Sequence, residues 1–311
     1  MFRVPRFRSL FLPFVLLLGL LASSPAMAQT MDVTTAFDDS LLRALDYPEV
    51  VITAGPEGVD SPAELEEGWY LITLSVPEPY VAYLDIMIPP DGLDEKTMTD
   101  LALGAGRDDL ALPDWEYVGG TNTFDLGVPV SFAAYLRPGS YQVAASYYLP
   151  EQGSEEIMKL NPLTVTPSNS DELDPEINGA PDAAVTLEMT DEFQYIVTPD
   201  PVTAGPQIWK FENTGTEHSH HVVMMQVPEG ATAQDIIGEY SSLMQGTPPA
   251  DDSLVFQMTG AAYAALQSGG YTTYVGLDLQ PGTYAVICFI INHHTGMPHL
   301  LDGMVTVFTV E

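Results

Sequence analysis

The chain has 311 residues, an apolar fraction of 46%, and 9 basic against 43 acidic residues, for a net charge of −34 at pH 7. That apolar content argues for a folded protein and against an acidic disordered one. The charge excludes nucleic acid and other polyphosphates as partners, since nothing here neutralises a phosphate backbone.

Met1 to Ala28 begins with Arg3, Arg6 and Arg8, continues through an apolar run from Leu10 to Leu21, and ends on Ala26-Met27-Ala28. This is the pattern of a secretory signal peptide (1–28), cleaved before Gln29. The run is short for a membrane span, and no later segment is long and apolar enough for one. The expectation is an exported protein, periplasmic, cell-surface or secreted, with no transmembrane segment after cleavage. Losing three arginines takes the net charge to −37. About 280 residues then remain, enough for two domains.

Residues 38–44 read as a short helix and Val50 to Thr53 as a first strand. Trp69 to Val76, Tyr141 to Tyr148, Ile208 to Glu212, Tyr271 to Leu279, Thr283 to Ile291 and Val305 to Val310 are rich in aromatic and β-branched residues and read as strands. Helices are expected over Asp94 to Leu103 and Thr232 to Met244, the second with Thr232 and Asp235 as a capping pair.

The order of these elements repeats. Leu136-Arg-Pro-Gly-Ser-Tyr-Gln-Val-Ala matches Leu279-Gln-Pro-Gly-Thr-Tyr-Ala-Val-Ile, 143 residues on. Tyr83-Leu-Asp-Ile-Met-Ile-Pro-Pro-Asp-Gly92 matches His221-Val-Val-Met-Met-Gln-Val-Pro-Glu-Gly230, 138 residues on. Such a period is a whole domain and not a solenoid repeat. The fold expected is all-β, two β-sandwiches in tandem, each with a short helix. Residues 29–166 form the first and 184–311 the second, with an acidic, turn-rich linker at 167–183.

The second copy holds the chemistry. Cys288 is the only cysteine, and all six histidines lie from His218 onward. A lone cysteine in an exported chain is a buried thiol, a reactive thiol or a ligand. Around it stand His293, His294, Met297, His299 and Met304, and upstream His218, His220 and His221. One thiolate, two imidazoles and a weak axial thioether are the donor set of copper electron-transfer sites. Strand alternation leaves the upstream choice between His220 and His221 open, because both faces are apolar.

Phe211-Glu-Asn-Thr-Gly215 leading to His220-His221-Val222-Val223, with Pro298-His299-Leu-Leu-Asp-Gly303-Met304-Val305 at the end, resembles the cupredoxins, the plastocyanin and azurin family of blue copper proteins. The resemblance covers residues 185–311. It implies Greek-key sandwiches and one type 1 copper held by His220, Cys288 and His299, with Met304 axial. A second assignment follows from the azurin-like spacing Cys288-x4-His293-x3-Met297, and His221 and His294 are further alternates. This chain departs from the family in two ways. Ten residues separate Cys288 from His299, more than in plastocyanin and nearer to copper nitrite reductases. His221 also stands where the family commonly has asparagine.

The first copy has Ala145 opposite Cys288 and Ala82 opposite His220, and is expected to bind no metal. The functions implied are electron transfer, with a basic redox protein such as a c-type cytochrome as partner, or copper storage and delivery, or a metal-free interaction module. No enzymatic activity is expected, because an oxidase or nitrite reductase needs further histidines and none precedes His218.

Overall fold

The computed structural model describes residues 36–107, 109–149, 157–168 and 175–311. The expected signal peptide and the centre of the expected linker lie outside them. The first copy comprises α1 (Ser40–Arg43), β1 (Glu49–Gly55), β2 (Gly58–Asp60), β3 (Glu64–Glu66), β4 (Gly68–Ser75), β5 (Val81–Ile88), α2 (Glu95–Arg107), β6 (Glu116–Asn122), β7 (Val130–Leu136), β8 (Gly139–Tyr148) and β9 (Ile157–Thr166). After α3 (Pro175–Asn178), the second comprises β10 (Val185–Thr190), β11 (Gln194–Thr198), β12 (Gly205–Asn213), β13 (His220–Val227), α4 (Ala233–Met244), β14 (Thr259–Gln267), β15 (Thr272–Leu279), β16 (Gly282–Ile287) and β17 (Val305–Val310).

The duplication is a duplication of topology. One sheet of the second copy runs β14-β13-β16-β17, and its counterpart in the first runs β6-β5-β8-β9, with β3 added at the edge. Facing them, β10 and β12 pair in parallel and β12 and β15 antiparallel, just as β1 and β4 pair in parallel and β4 and β7 antiparallel. Each copy is thus a two-sheet sandwich with one longer helix after its β5 or β13 strand. Both helices start on side-chain caps. Asp94 accepts the Thr97 N–H at 2.9 Å, and Thr232 with Asp235 completes a capping box, contributions of about 1 kcal/mol each.

Strand alternation places the cores. In β1, Val50, Ile52 and Ala54 turn inward while Glu49, Val51 and Thr53 face outward. One apolar cluster runs through both sandwiches, from Val50 to Val310, and includes Cys288 and Met304. A second lies beneath α4 and joins Ile236 and Tyr240 to Phe289 and Leu300. The strand expected over Thr283 to Ile291 ends earlier, at Ile287. Beyond it the backbone of 288–290 pairs with the turn at 299–304 instead of a neighbouring strand.

The two copies share a sheet. β7 pairs antiparallel with β15, Ala134 opposite Thr273 and Phe132 opposite Val275, so eight strands run continuously from β11 to β2. The described end of the expected linker is also docked. Arg137 donates to both Glu176 carboxylate oxygens at 2.9 and 2.8 Å, and the Trp69 indole donates to the Glu176 carbonyl at 3.2 Å. The ion pair is half-exposed and contributes about 0–1 kcal/mol. Its effect is to fix where the chain enters the second copy.

Residues 36–38 reach across the junction. Phe37 bridges Leu277, and the Asp38 N–H donates to the Gly276 carbonyl at 2.9 Å. Gly276 permits this, since a Cβ there would lie 1.9 Å from the Asp38 carbonyl oxygen. Gly276→Ala is therefore expected to push this segment off β15 and destabilise the protein by about 1–3 kcal/mol, read as a lower midpoint in thermal or denaturant unfolding. An unchanged midpoint would show that the contact contributes nothing to stability.

Candidate metal centre

Strand pairing brings the site together. Val223 faces Ile287 across β13 and β16, so the start of β13 lies beside the end of β16. His220 is the first residue of β13 and Cys288 the first after β16. The chain then loops out and returns. Ile291 bridges Pro298, the His299 N–H donates to the Ile290 carbonyl at 2.8 Å, and the Leu300 N–H to the Cys288 carbonyl at 2.8 Å. His299 to Asp302 form a single 3-10 turn, closed by Gly303 at φ 112°, a left-handed conformation that favours glycine. The Cys288 N–H meets the Met304 carbonyl at 3.2 Å, and β17 begins.

His220, Cys288 and His299 converge. Each is buried, and one donor atom from each lies within 4.8 Å of the others. The two Nδ1 atoms are 3.1 Å apart, and the Cys288 sulfur is 3.5 Å from the His299 Nδ1. Burial holds the His220 imidazole down to about 4, assisted by His218, and the His299 imidazole down to about 2, assisted by His220. Burial pushes the Cys288 thiol up to about 12, despite the hydrogen bonds its sulfur accepts from the His221 and Ile290 N–H groups and from Tyr195. The pocket thus holds two neutral imidazoles with free lone pairs and a thiol that ionises only when a cation meets its charge. The buried Nε2 of His220 has no hydrogen-bond partner. No carboxylate belongs to the group, so its chemistry suits a soft or borderline ion such as copper over a hard one.

The remaining candidates fall elsewhere. Met304 is fully buried in the same apolar cluster as Cys288. His221 points to the other core, where its Nε2 accepts the Phe289 N–H at 2.8 Å and its ring meets Tyr263 and Phe289. It thereby makes a hydrogen bond across to the ligand loop. His293, His294 and Met297 are exposed at the loop tip and do not join the group. His218 is half-buried, its ring 5.7 Å from that of His299 and 6.3 Å from that of His294.

A cleft of about 450 Å³ opens beside His299. His218 and His293 line it from the second copy, Leu112, Trp115 and Glu116 from the first. The first copy is therefore a wall of this site.

Three residues of the β10–β11 hairpin take part with no local signal in the sequence. The Phe193 ring centre lies 4.7 Å from those of His218 and His299, tilted against both. Tyr195 donates its hydroxyl to the His221 carbonyl. Asp191 accepts the N–H groups of Thr216, Glu217 and His218 at 2.7, 3.0 and 3.1 Å and so holds the segment entering His220. Asn213 supports the same segment, donating to the His218 and Gln267 carbonyls at 2.8 Å each.

Burial raises the Asp191 carboxyl, but its backbone hydrogen bonds outweigh this and hold it below the usual carboxylate range. A carboxyl depressed on folding stabilises above its unfolded value of about 4. That contribution fades as pH falls through the lower folded value. Asp191→Asn is expected to lower stability at pH 7 by about 1 kcal/mol, since the site is partly solvated. The gap to wild type should shrink in denaturant titrations as pH falls from 5 towards 3. A gap that stays constant would show that the charge on Asp191 has no part in it.

No protein-family model and no curated protein matches the chain. Solved structures do. A dithionite-reduced auracyanin from the photosynthetic bacterium Roseiflexus castenholzii is 20% identical, covers 42% of this chain and 99% of its own, and gives a TM-score of 0.26. A copper-containing nitrite reductase from Thermus scotoductus is 10% identical, over 85% of this chain and 61% of its own, at a TM-score of 0.21. A multicopper oxidase is 12% identical, over 85% and 88%, at 0.22. These last two correct the expectation that the chain is not an enzyme, because chains similar over both sandwiches carry enzyme titles. The missing histidines before His218 are no ground for excluding catalysis. Identities and TM-scores this low assign neither a family nor a reaction to this chain. By its own strand order the chain is two β-sandwiches in tandem, the second bearing a buried His-Cys-His cluster.

Proposed function

We propose that this protein holds one copper ion at a type 1 site formed by Cys288, His220 and His299, with Met304 as the weak axial donor, and uses it in one-electron transfer. The observation that carries the reading is the convergence of three buried donor atoms, 3.1 and 3.5 Å apart, on two neutral imidazoles and a thiol. Copper in such a set supplies a one-electron change between Cu(I) and Cu(II) with moderate ligand satisfaction in both states. The chain's own contribution is rigidity, through the paired strands and the hydrogen-bonded turn that fix the donors beforehand. Residues 1–28 support export, and among the described residues no helix is long and apolar enough to cross a membrane.

A basic redox protein, such as a c-type cytochrome, fits the net charge and the carboxylates of Asp114, Glu116 and Glu217 that line the cleft beside His299. Copper storage or delivery is the second reading. The exposed His293, His294 and Met297 beside half-buried His218 favour it, since they offer donors outside the buried group.

Copper(II) titration followed by visible absorption tests these readings. A Cys288-dependent charge-transfer band is expected, and Cys288→Ser should abolish it. His299→Ala should remove it or open the site to solvent. Met304→Leu should keep the colour and raise the potential. His293→Ala should be silent, whereas the assignment through His293 and Met297 requires the reverse for His293→Ala and His299→Ala. Tight Cu(I) binding without a band supports delivery, and no binding leaves a metal-free module.

Partner choice has its own measurement. Electron-transfer rates with a basic cytochrome should fall steeply as salt rises and exceed those with an acidic one. Rates indifferent to salt would count against electrostatic steering.

A further inference from the structure

Among the described residues, four other than glycine have left-handed backbone; three are aspartates and the fourth is Phe193, at φ 57°. A short polar side chain tolerates this conformation, whereas a bulky aromatic is strained by it and persists only where its surroundings hold it. Phe193 closes the turn from β10 to β11. Thr190 pairs with Gln194 across it, and the Phe193 N–H donates to the Thr190 carbonyl at 3.2 Å. A three-residue hairpin turn ordinarily has glycine at that position.

The ring accounts for the exception. Its centre lies 4.7 Å from those of His299 and His218, and 6.2 Å from that of His220, to which it stands at 89°. His220 and His299 are 0% and 2% exposed, while Phe193 is only partly buried. The phenyl ring is thus an outer layer over the two imidazoles. The His299 Nδ1 meets His220 and Cys288, within the donor group itself. From outside that group, Phe193 and His218 pack against the His299 ring.

We propose that Phe193 is a positioning residue for the site: its ring fixes the plane of the His299 imidazole and closes the imidazole pair to small anions from solution. The strained turn is what aims the ring there. The inference rests on the reading of His220, Cys288 and His299 as copper ligands. An ion with three firm donors and a weak fourth can still accept a further ligand that reaches it. A cover over the imidazoles therefore decides whether the ion only exchanges electrons or also binds molecules from outside.

The test uses the full chain loaded with copper(II), with sodium azide as the probe. The wild-type spectrum should not respond to azide. Phe193→Gly removes the ring and suits the left-handed turn, so the protein should fold. In that variant azide should bind saturably, weakening the Cys288-dependent band and adding an azide-to-copper band. Copper affinity should fall about 10-fold or more, the usual cost of losing a group that orients a ligand. Phe193→Tyr keeps the ring and should stay closed. The metal-free proteins give a second readout. Phe193→Ala also lacks the ring but leaves a Cβ on the left-handed backbone, so it should unfold at a lower midpoint than Phe193→Gly. Azide binding by the wild type, none by Phe193→Gly, equal binding by the Tyr and Gly variants, or equal midpoints for Ala and Gly would each overturn this inference alone. Absence of a Cys288-dependent band in the wild type would overturn the copper reading, and this inference with it.

Discussion

The antiparallel pairing of β13 with β16 is the constraint on which the site depends. Val223 opposite Ile287 sets the register, and that register puts His220 at one strand's beginning beside Cys288 at the other's end. A slip of one residue would turn His220 to the other face and bring His221 in its place. The register is held because both faces are filled. Val222 and Met224 enter one core with Cys288, while Ile287 enters the other beneath α4. The ring of His221 is bound there too, through the Phe289 N–H. The neighbouring histidine thus acts as a lock on the register that presents the first.

The first copy shows what the frame is without its donors. Asp85 and Ala144 pair at the places of Val223 and Ile287, and Ala145 and Ala82 are fully buried where Cys288 and His220 stand in the second copy. Two alanines close the space that a thiol and an imidazole occupy. The sandwich keeps its strand order regardless, since apolar alternation and turns determine it and the site residues do not. What remains for the first copy is contact. Its β6 lies against β14, with the Ser268 N–H donating to the Tyr117 carbonyl at 2.8 Å, and its segment around Trp115 walls the cleft at His299.

Local chemistry was legible in the sequence, and long-range placement was not. Cys288, His299 and Met304 lie on one loop between two strands, where the sequence offered them as candidate donors beside the alternates His293 and Met297, and the structure groups Cys288 and His299 with His220. The repeat announced two sandwiches, and Thr232 with Asp235 announced the start of α4. The contributions of Asp191, Phe193 and Tyr195 come from a hairpin whose own residues look ordinary, and each acts on residues 25 or more positions away. Sequence alternation could not choose between His220 and His221, because both faces of β13 are apolar. The alanine-rich β14 carries little strand propensity of its own, and its pairing with β13 makes it one. The shared sheet went unread in the sequence, where Tyr271 to Leu279 was expected as a strand but the residues of β7 were not.

That shared sheet has a consequence for assembly. β7 and β15 are equivalent strands of the two copies, and they meet antiparallel, as the two halves of an isologous dimer do. The chain is in this sense a dimer fused into one polypeptide, with the pseudo-dyad between Phe132 and Val275, which pair with each other and are 143 residues apart. An isologous contact is closed, because it uses up the same edge on both halves and offers nothing for a third sandwich to extend. The outer ends of the sheet are β2, three residues long, and β11, flanked by β17 of its own sandwich. Short or covered ends of this kind are poor templates for another chain. Fusion therefore removes the strand edge that a single sandwich would expose, and a half without donors still serves by completing the other half's sheet.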